Sequence, residues 1–198
     1  MREVYVSGKA KPSDTGSLFA WGFLSRGVSP YTQESLFIDA FNGLGKWIDD
    51  AANGTFDIDE YLKWAKTAAP KGSNQPGAGA SHNLNAFGSL FLRRMSEIMP
   101  GTNISKMEYL HNLMSNPNMT GPQIRREFAR IGQGVGIDNK VVSFTLLVSG
   151  RDDVMVLDRV QVRKLWNDGR FDGINLYDGY KVDGAVVTGS ALSNLTYG

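Results

Sequence analysis

Residues 120 to 166 read TGPQIRREFARIGQGVGIDNKVVSFTLLVSGRDDVMVLDRVQVRKLW, with the punctuation of a helix, a tight glycine-rich turn, a second helix, a loop and a third helix. Thr120 is placed to cap the first helix, which runs to about Ile131 with Ile124, Phe128 and Ile131 on its buried side. Gly132, Gly134 and Gly136 alternate through the turn, where glycine permits positive φ and leaves backbone N–H groups uncovered at the start of the next helix. Such a turn can grip a phosphate, and the same glycines also fit an ordinary helix C-cap followed by a loop. Lys140 then opens the run KVVSFTLLV, apolar enough to be a core helix. A lysine at that edge either keeps a buried stem and a desolvated, nucleophilic amine or snorkels to water. Asp158 follows the apolar residues Val154 to Leu157 and precedes another helical pattern, Val160, Val162, Leu165 and Trp166. On spacing alone it is a helix N-cap.

Outward from this segment the chain continues in helical periods. Ser29 with Pro30 reads as the start of one helix on which Phe37, Ala40, Phe41, Leu44, Trp47, Ile48 and Ala51 recur, ending near Asn53-Gly54. Asp57 to Ala68 reads as a shorter helix with acids first and Lys63 and Lys66 toward its end, as the helix dipole favours. Pro70 to Ser81 has the Gly and Pro content of a flexible loop and is the natural boundary between lobes. Leu84, Phe87, Leu90, Phe91, Met95 and Ile98 mark a further helix, and Ser105 to Met114 another. The expected fold is mainly α with little or no strand. Its expected organisation is an N-terminal lobe over 1–80, a second helical lobe over 81–170, and a segment over 171–198 that packs back on the first.

With 198 residues, 41% of them hydrophobic, the chain can bury about 70% of its extended surface and needs no disulfide or metal for stability. It contains no Cys, which removes disulfides, thiolate zinc sites, a Cys nucleophile and a Cys-ligated iron–sulfur cluster. The start lacks a signal-peptide core and no window approaches a membrane span, so the expectation is a cytoplasmic protein. His82 and His111 are too isolated to suggest a metal site or a triad. The net charge of +1 hides an asymmetry, because residues 91 to 170 carry 12 Lys/Arg against 8 Asp/Glu. That basic segment fits either a polyanion-binding face or solvated helix surfaces.

Taken together, the glycine turn ending in Gly136-Ile137-Asp138-Asn139-Lys140, the apolar helix after it and the Val156-Leu157-Asp158-Arg159 string resemble the catalytic core of helix-hairpin-helix DNA glycosylases, closest to the 8-oxoguanine DNA glycosylase/AP lyases. The match covers roughly 45 residues. Asp138 stands where that family has a second hairpin glycine; Asp tolerates left-handed backbone, but its carboxylate opposes a phosphate. The resemblance implies a two-lobed helical fold in which Lys140 attacks the sugar C1′ and Asp158 stabilises the charge that develops. It also implies DNA contacts from Gly132, Gly134, Gly136 and Asn139, with Arg159 and Arg163 on phosphates. His82, Asn83 and Asn85 correspond to the polar segment that fills the hole left by an extruded base.

The implied partner is double-stranded DNA carrying a lesion or modified base, bound by a monomer without a membrane, in the cytoplasm at the nucleoid. No cofactor is implied beyond room for a structural monovalent cation at the hairpin. A base must leave the stack before its glycosidic bond can be reached, and Trp21, Phe23, Phe87, Phe91 and Trp166 are aromatic candidates to sandwich it or to fill the core. Two other readings remain: a glycosylase or pyrophosphorylase-like enzyme acting on hypermodified, phage-type pyrimidines, and a non-catalytic hairpin module that only binds DNA.

Overall fold

The computed structural model describes residues 4–5, 7–24, 41–68, 78–135, 137, 139–154, 156, 181–182 and 185–186. The protein is mainly α-helical. The helices are α1 (Pro12–Leu24), α2 (Gly45–Ala52), α3 (Ile58–Ala68), α4 (Ala78–Ala86), the short α5 (Arg93–Met95), α6 (Lys106–Ser115), α7 (Gly121–Ile131) and α8 (Asn139–Val148). A π-helical stretch, Phe87–Leu92, joins α4 to α5. The strand content among the described residues is one antiparallel pairing, β1 (Lys181–Val182) with β2 (Ala185–Val186), in the register Lys181↔Val186 and Val182↔Ala185.

α1 forms the centre, packed against α2, α6 and α8. Its sequence, PSDTGSLFAWGFL, is apolar on most sides, which is how a helix surrounded by others reads. Small residues let the neighbours approach. A Cβ at Gly16 would collide with Ile48, and one at Gly22 would lie 2.8 Å from Val141 Cγ1. Around α1 the rings of Phe19, Phe91 and Phe128 stack, Phe19 standing 5.1 Å from Phe91 and 5.2 Å from Phe128 between centroids. Trp47, Phe56, Tyr61 and Trp64 form a second aromatic group where α2 meets α3. The buried residues of the described chain, from Tyr5 to Leu146, make one continuous hydrophobic core.

Several helix starts follow the chemistry of their capping residues. Asp57 Oδ1 accepts from the N–H groups of Asp59 and Glu60 at 2.9 and 3.1 Å, so α3 begins where its acids do. Ser105 Oγ accepts from the Glu108 N–H at 3.0 Å and donates to the Ala52 carbonyl at 2.6 Å, capping α6 and docking it on α2. Thr120 and Gln123 form a reciprocal capping box at the head of α7, and Asp153 Oδ2 accepts from the Gly121 N–H at 2.6 Å.

Three expectations are corrected. The amphipathic pattern through Ala51 is not one uninterrupted helix, because the chain turns at Gly43-Leu44, where the Leu44 N–H reaches only back to the Phe41 carbonyl at 3.1 Å. The Trp64 ring covers Gly43 there, with 2.6 Å between Cζ2 and the position of a Cβ. The loop assigned to Pro70–Ser81 is already helical from Ala78, since alanines on either side of Gly79 offset its cost. The helix read through Ile98 ends at Met95, after which Ile98 pairs with Ser105 as an isolated antiparallel bridge and is exposed. The starting signal at Ser29 and Pro30, Trp166 and most of the 171–198 segment lie outside the described residues.

Candidate nucleic-acid interface

α7, the turn after it and α8 form a helical hairpin. Gly132 ends α7 with its N–H on the Phe128 carbonyl at 2.8 Å, and the Val135 N–H returns to the Gly132 carbonyl at 3.0 Å. Gly134 takes φ +86°, a left-handed conformation that strains any other residue, whereas Gly132 has φ −97° and does not need glycine on that ground. The two helices are tied across the hairpin by Arg125 Nη1, which donates to Ser143 Oγ at 3.0 Å.

Lys140 stands in the first turn of α8 and is exposed, while Val141 and Val142 beside it are buried. The snorkelling alternative therefore holds in this structure, and the desolvated amine does not. Asp158, Gly136, Arg159 and Arg163 lie outside the described residues, as does Asp138. Asn139 begins α8.

The polar segment before the core helix lies on α4. His82 is exposed, but Asn83 is buried and its Nδ2 donates to the Leu24 carbonyl at 3.2 Å, which fixes α4 to the end of α1. Asn85 is half-buried, its carbonyl accepting from Ser89 Oγ at 2.8 Å. Phe23, Phe87 and Phe91 are core rings. Trp21 alone of the described aromatic candidates is exposed, at 46%, with its ring edge-on to Phe41.

Much of the basic segment serves the fold. Arg151 donates to the carbonyls of Met114, Asn116 and Met119, closing the loop between α6 and α7. Lys106 Nζ lies 2.6 Å from Glu97 Oε2, and Arg94 Nη1 donates to both Glu97 oxygens at 2.9 and 2.7 Å. Burial alone would raise the Glu97 carboxyl, but hydrogen bonds and charge from Lys106 and Arg94 outweigh it and hold the group below its ordinary range. Arg130 pairs with Glu127 at 2.9 Å. Arg93 is exposed and makes no ion pair among the described residues.

Arg93 and Arg94 line an open cleft of about 200 Å³ together with Ser89, Leu90, Glu97, Gln133 and Gly134. The glycine turn thus shares a hollow with the end of the π-helical stretch. The sequence signal for this was two adjacent arginines closing a long apolar helix, but nothing local says which distant turn they would face. No group of three or more His, Cys, Asp or Glu side chains that would hold a metal occurs among the described residues. No described helix is long and apolar enough to cross a membrane. Compared with family models, curated proteins and solved structures, the chain matches none of them.

Proposed function

We propose that the protein is a DNA glycosylase with AP lyase activity, in which Lys140 is the nucleophile and Asp158 its charge-stabilising partner. The observation that supports this reading is the α7–turn–α8 hairpin, in which a glycine-bearing turn leads into the helix that opens with Asn139 and Lys140. The Lys140 amine would form a bond to C1′ as the glycosidic bond breaks and the base departs with its electron pair and a proton. The C1′–N adduct would then open the sugar ring, the nitrogen lone pair forming C=N as the C1′–O4′ bond breaks and O4′ takes up a proton. The protonated Schiff base would lose a proton from C2′ as the C3′–O bond breaks and the phosphate departs with its electron pair, leaving a nicked strand. The hairpin amides and Asn139 would hold the backbone beside the lesion, and Arg159 and Arg163 would contact further phosphates. His82 and Asn85 would lie toward the displaced base; Asn83 would act through its bond to Leu24, as a support.

Duplexes carrying 8-oxoguanine, an abasic site or a hypermodified pyrimidine test the reading when incubated with the protein and borohydride. A covalent adduct that Lys140→Gln abolishes supports it. Base release confined to the modified pyrimidine moves the substrate to that class. A second reading, a hairpin that only grips DNA, is favoured by the exposure of Lys140, since an amine at the surface suits a phosphate contact. Salt-sensitive binding without release of any base selects it.

A further inference from the structure

We infer that the cleft between the π-helical stretch and the hairpin turn is a phosphate-binding subsite in which Arg93 is the anion-recognising side chain. The cleft is lined by two cations, Arg93 and Arg94, and one carboxylate, Glu97, which is also paired with Lys106. Glu97 is occupied by Arg94 and Lys106, at 2.7 and 2.6 Å, and so does not draw Arg93 away. A positive charge remains at the rim, on a residue whose guanidinium can take two phosphate oxygens at once.

The hairpin turn lines the same cleft. Neither the Gln133 nor the Gly134 N–H makes a backbone hydrogen bond among the described residues. The left-handed Gly134 has nothing within 4 Å of the place a Cβ would take, so an anion can come close to the main chain. Gln133 is exposed and lines the same cleft. The hollow of about 200 Å³ is shallow and open, which suits one phosphate group of a larger molecule or a free phosphate ion.

The subsite deepens the DNA reading by adding a contact from a separate helical segment, and it rests on that reading for the source of the phosphate, though not on the chemistry of Lys140. Two arms separate the sources. Binding of a fluorescent duplex is followed across a salt series for the parent protein, Arg93→Gln and Lys140→Gln. Binding of inorganic phosphate to the same proteins is followed by calorimetry. The expected result is that Arg93→Gln lowers the slope of log affinity against log salt by about 0.9, the loss of one phosphate contact, with its helical content unchanged. Lys140→Gln keeps the Arg93-dependent part.

If the parent protein ignores duplex but binds inorganic phosphate in an Arg93-dependent way, the subsite stands as a free-phosphate site and the DNA reading falls. If duplex binds with the same slope and affinity in Arg93→Gln, and phosphate binding is unaltered or absent, the subsite is overturned while the DNA reading stands.

Discussion

Arg125 and Ser143 join the two helices of the hairpin through a hydrogen bond of 3.0 Å, with the serine wholly buried. The bond fixes α7 against α8, the helix that carries Lys140. Ser143→Ala removes the acceptor from a partly buried guanidinium, and a hydrogen bond to a charged group is worth about 1.5–3 kcal/mol. Urea denaturation is expected to show a loss of that order. Adding Arg125→Met should recover part of it, because the charge left without its partner is gone too; additive losses would show that the pair is uncoupled.

Tyr61 and Gly88 share one space. A Cβ on Gly88 would overlap the Tyr61 ring, whose hydroxyl donates to the Leu84 carbonyl at 2.7 Å. Gly88→Ala is expected to cost about 1–3 kcal/mol through overpacking, read as a lower thermal midpoint. Gly45→Ala, at the start of α2 with nothing near its Cβ position, should be neutral or stabilise by up to about 1 kcal/mol. Equal effects of the two would contradict the packing described.

The buried group of Tyr5, Thr15 and His111 gives the stability a pH dependence. Thr15 Oγ1 lies 3.1 Å from His111 Nδ1 and is also hydrogen-bonded to the Tyr5 hydroxyl, while burial raises the Tyr5 phenol well above its ordinary range. Burial lowers the His111 imidazole below its ordinary 6.5, with Asp14 and Glu108 opposing more weakly. The unfolded chain therefore takes up this proton first as the pH falls. The contribution is complete above about pH 6.5 and is lost below it. Urea midpoints should drop more between pH 7.5 and pH 5 in the parent than in His111→Gln. Equal drops would remove His111 as the source.

Where the sequence carried local chemistry, the reading reached the structure. Asp57, Ser105 and Thr120 cap the helices they were expected to start, and the buried face Ile124, Phe128 and Ile131 of α7 follows its period. α1 was not anticipated because LFAWGFL is apolar all round, its one exposed position being Trp21, and so it has no polar face to set a period. The break at Gly43 depends on the Trp64 ring, 21 positions away, and no window around residue 43 contains it. The cleft had the same obstacle, since Arg93 and Gly134, which line it together, stand 41 positions apart. Charge counting over residues 91 to 170 left two readings open and could not show that Arg94, Lys106, Arg130 and Arg151 pair with carboxylates and carbonyls of the chain itself.

The most direct measurement is the identity of the residue that captures an abasic site. The protein is incubated with an abasic-site duplex and borohydride, digested, and the adduct located by mass spectrometry. The account predicts a reduced adduct on the peptide carrying Lys140, absent in Lys140→Gln. An adduct on another lysine, or none while the duplex is bound, would contradict it.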